Sequence, residues 1–297
     1  MNLTHTPIAK ACGTAVLLGL LTPVPLAAAP VLFEVGGTSS PASISGTVGA
    51  FRTALGDPNN GNAPGTTGGR REINWDGGGG VDTNAVAGTP FSGFLQTRGA
   101  LFATPGTGFV QAPPSGGPQN GLAGQFNNAT YGSIFSTFSP LRDFTPIGST
   151  VTDATFFIPG TNGGTAATVG GFGAVFSNVE LADSARIDFF DPNGNLLTEQ
   201  FVPIGSGPAS LSFLGVVFDA GEDIGSVMIT SGTDPLASGT NDDPAGGVNL
   251  VVMDDFLFSE PVARVVPEPA SLWWFGTSLA GLGLLRWRRR LRNNSSV

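Results

Sequence analysis

The chain has 297 residues, 45 of them glycine and 23 proline, with 22 acidic against 13 basic side chains and a formal charge of −9. His5, Lys10 and Cys12 are the sole residues of their types, so Pro30 to Val265 offers no Ser-His-Asp hydrolysis, thiol nucleophile, disulfide framework, or zinc or copper site on imidazole or thiolate. Seven arginines face twenty-one acids in that stretch, every acid but Glu268, and a charge of about −14 excludes a nucleic-acid partner, because phosphate binding needs a basic face.

Residues 1–29 read as a secretory signal peptide. Lys10 precedes the apolar run Ala11 to Leu21, and the small residues Ala27, Ala28 and Ala29 follow it. Cleavage is expected one or two residues before Pro30. Cys12 lies inside the run and not at a cleavage junction, which argues against a lipoprotein.

From Gly36 to about Gly121 the chain reads as loops with short strands between them, and long amphipathic helical periodicity is absent. LGDPNNGNAPGTTGG (Leu55 to Gly69) and APPSGGPQNG (Ala112 to Gly121) have too few apolar residues to bury and too much glycine to order cheaply. Arg70 and Arg71 read as a solvated or locally paired doublet. INWDGGGGVDTN (Ile73 to Asn84) lacks the D-x-D-x-D-G spacing of a calcium loop and reads as a loop anchored by Trp75. Phe91, Phe94, Leu95, Leu101, Phe102 and Phe109 are core candidates.

The second half is cleaner. Thr150 to Pro159, Gly171 to Leu181, Ala185 to Phe190, Leu196 to Val202, Leu211 to Phe218, Ile224 to Ser231 and Val248 to Phe258 are strand-sized and rich in β-branched or aromatic residues. DPNGN (Asp191 to Asn195) places Pro at the first central position of a type I turn and Gly194 where a left-handed residue closes a hairpin. Strands at this spacing predict an all-β fold, a jelly-roll-like β-sandwich over residues 30–260.

A linker at 261–266 runs into VVPEPASLWWFGTSLAGLGLLRWRRRLR (Val265 to Arg292), whose first two residues it shares. Ala270 to Leu285 is uncharged and would span roughly 24 Å as a helix, short of a hydrocarbon core of about 30 Å. Interfacial Trp273, Trp274 and Trp287 and snorkelling arginines make up the difference, so a single transmembrane helix is expected over 270–285. Arg286, Arg288, Arg289 and Arg290 would stop transfer and hold the C-terminus in the cytoplasm, which leaves the body outside. Pro267 and Pro269 keep the chain extended around Glu268.

Val266-Pro267-Glu268-Pro269, then a short apolar span, then an arginine cluster, resembles the PEP-CTERM sorting signal of Gram-negative bacteria, here over 267–292. The resemblance implies recognition by an exosortase, an integral-membrane cysteine transpeptidase. It also implies passage through an inner-membrane intermediate to the cell surface or the extracellular matrix. The tail Asn293 to Val297 and the early double Trp depart from the pattern, but the motif residues themselves do not.

The chemistry left to the body is that of carboxylates. Asp188, Glu199, Asp219, Asp254 and Asp255 could supply a glycosidase pair, although twenty-one acids pair by coincidence as readily, and a solvated acidic surface is the plainer reading. Strand alternation in VNLVVMDDFLF sends one of Asp254 and Asp255 toward the core, where a lone charge is costly. A terminal-strand Asp of this kind resembles the structural calcium position of jelly-roll carbohydrate-binding modules, with Glu34 near the first strand completing the oxygen shell; the alternative is an ion pair with Arg186 or Arg264, or a strand end that reaches water. The body holds one Trp (Trp75) and one Tyr (Tyr131) as platforms for sugar stacking. The expectation is therefore an exported surface protein without catalytic activity, and the second reading is a polysaccharide-binding module or carboxylate hydrolase.

Overall fold

The computed structural model describes residues 30–77, 82–218 and 223–264. The expected signal peptide at 1–29, the expected sorting motif and the expected span at 270–285 lie outside the described residues. Among the described residues no helix is long and apolar enough to cross a membrane.

The described residues are mostly β, with 39% strand against 13% helix. In chain order the elements are β1 (Val31–Gly36), α1 (Ser45–Leu55), β2 (Arg70–Ile73), β3 (Ala85–Gly88), α2 (Leu95–Arg98), β4 (Ala100–Ala103), β5 (Gly108–Ala112), α3 (Gly121–Gln125) and α4 (Tyr131–Ile134). There follow β6 (Asp143–Ile147), β7 (Val151–Phe156), β8 (Ala167–Thr168), β9 (Gly171–Ser177), β10 (Ala185–Phe190), β11 (Leu196–Phe201), β12 (Leu211–Val217), β13 (Ser226–Ser231), β14 (Val252–Ser259) and β15 (Val262–Ala263).

A larger sheet runs β1-β12-β9-β14-β6-β5-β3, with β2 also paired to β14, and a smaller one runs β11-β10-β13-β7-β4. All the registered pairings between these strands are antiparallel. Between the sheets lies one core that takes Phe144, Phe172, Phe176, Met253, Phe256 and Phe258 from the larger and Phe102, Phe156, Ile187, Phe189, Val227 and Ile229 from the smaller. Each strand supplies alternate residues to it, as pleating requires. The β10–β11 turn is as expected: Gly194 donates its N–H to Asp191 O (3.0 Å) at φ 83°, and the Asp191 side chain accepts from the N–H groups of Asn193 and Asn195.

Two expectations for the first half are corrected. Residues 45–55 form a helix, with Ile44, Val48, Phe51 and Leu55 buried at helical spacing against the outer face of the larger sheet. Gly46 and Gly49 mask the pattern in the sequence, yet both face open space and leave the apolar stripe intact. Phe51 packs edge-on between Phe33 and Phe213, at centroid distances of 5.4 and 5.2 Å. Its ring explains two strand glycines, because a Cβ on Gly215 or Gly173 would come within 2.7 or 2.8 Å of it.

The second correction is Arg71, which is fully buried. Its guanidinium forks onto Glu260 (Nε to Oε2 and Nη2 to Oε1, both 2.6 Å), while Nη1 donates to the carbonyls of Gly61, Ala63 and Thr97. Glu260 also accepts from Asn60 Nδ2 and Thr66 N–H. The glycine-rich stretch from Leu55 to Gly69 is thus ordered by hydrogen bonds to one buried ion pair and needs little apolar burial. Beyond Glu260 the chain continues into β15, which pairs with β8.

Candidate functional site: a buried acidic cluster

The site begins with a fault in β14. Met253 faces Phe176 on β9 and Phe256 faces Ala174, so three steps on one strand match two on the other. The extra residue is a β-bulge. Met253 and Phe256 both enter the inter-sheet core, and Asp254 and Asp255 together turn to the outer face, toward the segment 136–142 and α1. The expected alternation, with one carboxylate inward and one outward, is therefore overturned.

Each of the two finds donors there. Asp254 Oδ2 accepts from the backbone N–H groups of Phe138 (2.5 Å) and Ser139 (3.1 Å), while its Oδ1 lies 3.3 Å from Ser139 Oγ. Asp255 Oδ1 accepts from Ser139 Oγ–H at 2.6 Å, and its Oδ2 lies 3.4 Å from Arg52 Nη2. Arg52 belongs to α1 and bonds Glu72 more closely, at 2.8 Å. The Trp75 indole, stacked on Phe144 at 3.7 Å, donates its Nε1–H to the Asp254 carbonyl and fixes the bulge from the core side.

Asp143 completes the cluster. Met253 on β14 pairs with Phe144 on β6, so the next residue of each strand past that pair is Asp254 and Asp143, and the charge of Asp143 acts on Asp254. Phe144 points into the inter-sheet core, which sends Asp143 to the outer face with Asp254. Asp143 has 0% exposure, and neither of its carboxylate oxygens has a hydrogen-bond partner. Beside it, Asp76 Oδ1 accepts from the N–H groups of Leu141 (2.6 Å) and Arg142 (3.1 Å), and its Oδ2 from Asn74 Nδ2. The Arg142 guanidinium is directed at the Gly77 carbonyl and Thr83 Oγ1.

Burial dominates the electrostatics. It pushes Asp143 well above the ordinary carboxylate range, and the charge of Asp76 adds to the effect. Asp254 is also pushed well up, first by burial and then by Asp255 and Asp143, against the opposing bond from Phe138 N–H. Asp255 is raised by burial, with Ser139 and Arg52 working against it. Asp76 too is raised by burial, opposed by its two backbone bonds.

Glu34 takes no part in this cluster. It is exposed on β1, in a row running Glu34, Leu214, Ala174, Phe256 across four strands, which sets it about 14 Å from β14 at the usual strand spacing. An ion bound at about 2.3–2.6 Å per oxygen cannot bridge that gap. The expected arginine partners are elsewhere too. Arg186 lies 3.1 Å from Asp188 and 3.4 Å from Glu199, which face each other on β10 and β11, and Arg264 bonds Asn193. Among the described residues no three acidic side chains converge into a ready-made metal cage. Asp219 and the sorting residues Val266, Pro267, Glu268 and Pro269, with Arg286, Arg288, Arg289 and Arg290, lie outside the described residues.

The sequence reading missed Asp143 because it missed β6. Pro146 breaks the strand pattern in RDFTPIG, although the alternation of Asp143 and Phe144 was there to be read. Comparison of the chain with protein-family models, with curated proteins and with solved structures found no match.

Proposed function

We propose that this is an exported, non-catalytic surface or matrix protein, delivered through a signal peptide at 1–29 and sorted by an exosortase acting on Val266-Pro267-Glu268-Pro269. The carrying observation is the three-part order of that motif, the apolar span 270–285 and the arginines Arg286, Arg288, Arg289 and Arg290. The extended motif would be presented at a fixed depth outside the membrane by the helix behind it, while the arginines prevent the chain from slipping through. The body is its displayed cargo. It reads as a jelly roll: β6, β7, β9, β10, β11, β12, β13 and β14 alternate as β6-β14-β9-β12 in one sheet and β7-β13-β10-β11 in the other, the order of an eight-stranded double Greek key.

Replacing Glu268 by Ala should leave membrane insertion intact and block processing in an exosortase-bearing host. Neutralising Arg286, Arg288, Arg289 and Arg290 together should disturb retention and topology first. Maturation of the Glu268→Ala chain at the wild-type rate would reduce 270–285 to a permanent anchor and end the sorting reading.

A second reading, polysaccharide binding, is favoured by one feature: a cleft of about 310 Å³ whose lining includes the half-buried rings of Phe91 and Phe94 beside the Gln111 amide. A glycan array probed with and without calcium separates it from display alone.

A further inference from the structure

We propose that Asp143 and Asp254, on the paired strands β6 and β14 beneath Ser139, bind one divalent cation of the calcium class, which ties the segment 136–142 to the outer face of the larger sheet. The site keeps Asp254, one of the two aspartates expected from sequence alongside Glu34, but replaces Glu34 by Asp143, and it rests on a different observation.

That observation is the Asp143 carboxylate. It is fully buried, stands one residue before the Phe144–Met253 pair as Asp254 stands one after it, raises Asp254 by its charge, and has no donor at either oxygen. Neighbouring like charges repel, and a buried unpaired carboxylate costs several kcal/mol more. The neighbouring acids have their donors: Asp76 has Leu141, Arg142 and Asn74, Asp255 has Ser139 and Arg52, and Glu72 has Arg52 and Arg70. Arg142, the nearest cation in sequence, sends its guanidinium to Gly77 and Thr83. A proton on Asp143 would remove the charge but would still leave its other oxygen without a donor. A cation answers both the charge and the missing contacts.

The donor set selects the kind of cation. Asp143 Oδ1 and Oδ2, Asp254 Oδ1 and Ser139 Oγ are all oxygens, with no imidazole or thiolate anywhere in the body, so a hard cation is favoured over zinc or copper. Calcium tolerates an irregular shell, and a site of so few protein charges belongs to the weak class, with Kd on the order of 10⁻⁴–10⁻³ M.

The test uses the full chain, purified in detergent and stripped with chelator. Adding calcium at about ten times a submillimolar Kd should raise the melting temperature by about 3–6 °C, and isothermal titration should count one ion per chain. Asp143→Asn should lose the calcium response and, in chelator, melt above the wild type, since it removes the repulsion without removing volume. Terbium luminescence on the wild-type chain provides a readout that needs no variant: Trp75, bonded to the Asp254 carbonyl, should sensitise it, and excess calcium should quench it by displacement. Equal melting of the wild type in chelator and in calcium overturns the proposal. So does a calcium response that survives in Asp143→Asn, which would place the ion elsewhere.

Discussion

Replacing Arg71 by Met should destabilise the body by about 4 kcal/mol, because the buried fork with Glu260 loses one partner and leaves the other charged and dry. The Arg71 and Glu260 side chains are 0% and 2% exposed. Breaking such a pair from one side costs about 3–5 kcal/mol. The three carbonyls released with it, of Gly61, Ala63 and Thr97, add to the loss, while Asn60 and Thr66 still donate to Glu260 and offset part of it. For a domain of this size the change corresponds to a fall in Tm of about 8–16 °C. Arg70→Ala is the matched control. Its guanidinium bonds Glu72, which keeps Arg52, and an Asp57 side chain that is 75% exposed, so the loss should be smaller, about 1–2 kcal/mol. Urea titrations of Arg71→Met, Glu260→Gln and the double variant close a double-mutant cycle, and a coupling above about 2 kcal/mol is expected. Burial alone would raise the Glu260 pKa, but the bonds from Arg71, Thr66 and Asn60 hold it below the usual value. Its contribution is therefore complete above the unfolded pKa of about 4.5 and is lost as pH falls through the lower folded value. A shift under about 2 °C for Arg71→Met, with coupling near zero, would refute the buried-pair account.

Trp75→Ala should cost about 3–5 kcal/mol in the same titrations, since it removes the ring stacked on Phe144 and packed edge-on by Phe94 and Phe256 and frees the Asp254 carbonyl at the bulge. Glu180 is pushed up to about 7 by burial and then by its hydrogen bond and charge contact with Asp242. The folded state therefore holds a proton that the unfolded chain has released between about pH 4.5 and 7. Stability should fall as pH rises through that window, and Glu180→Gln should melt with a shallower pH slope across it. Parallel slopes in the two chains would remove Glu180 from the account.

How much of this was legible in the chain differs by element. β7, β9, β10, β11, β12, β13 and β14 fall where β-branched and aromatic runs stand between turn residues, because a strand buried on one or both faces needs those side chains and little else. The β10–β11 hairpin was legible to the residue, since Pro192 and Gly194 each meet a local backbone demand. α1 was hidden by Gly46 and Gly49, which lower helix propensity, while tertiary contacts at Val48, Phe51 and Leu55 outweigh that loss. Arg71 was beyond local reading altogether: Arg70 and Arg71 are chemically alike, and only the arrival of Glu260 from 189 positions away makes one of them an interior residue.

The acidic cluster shows why alternation arguments stop at a bulge. Two adjacent aspartates in an apolar strand pose a conflict that a regular ladder cannot resolve, since period-2 pleating must direct one of them into a core of Phe144, Phe172 and Phe256. A charge placed there would cost many kcal/mol, whereas a bulge gives up about one ladder pairing and turns both side chains outward. The sequence contains the conflict, and the cheaper of the two resolutions is the one observed. What the sequence cannot contain by itself is the identity of the neighbour. Once Asp254 is turned outward, the residue it meets is fixed by the pairing of β14 with β6, a contact between positions more than a hundred residues apart. Just past the one registered pair of those strands stands another aspartate, Asp143, with no donor of its own. The bulge relieves one buried charge but leaves Asp254 near a second buried carboxyl, Asp143, whose charge raises it, and that residual conflict is what a bound cation would resolve.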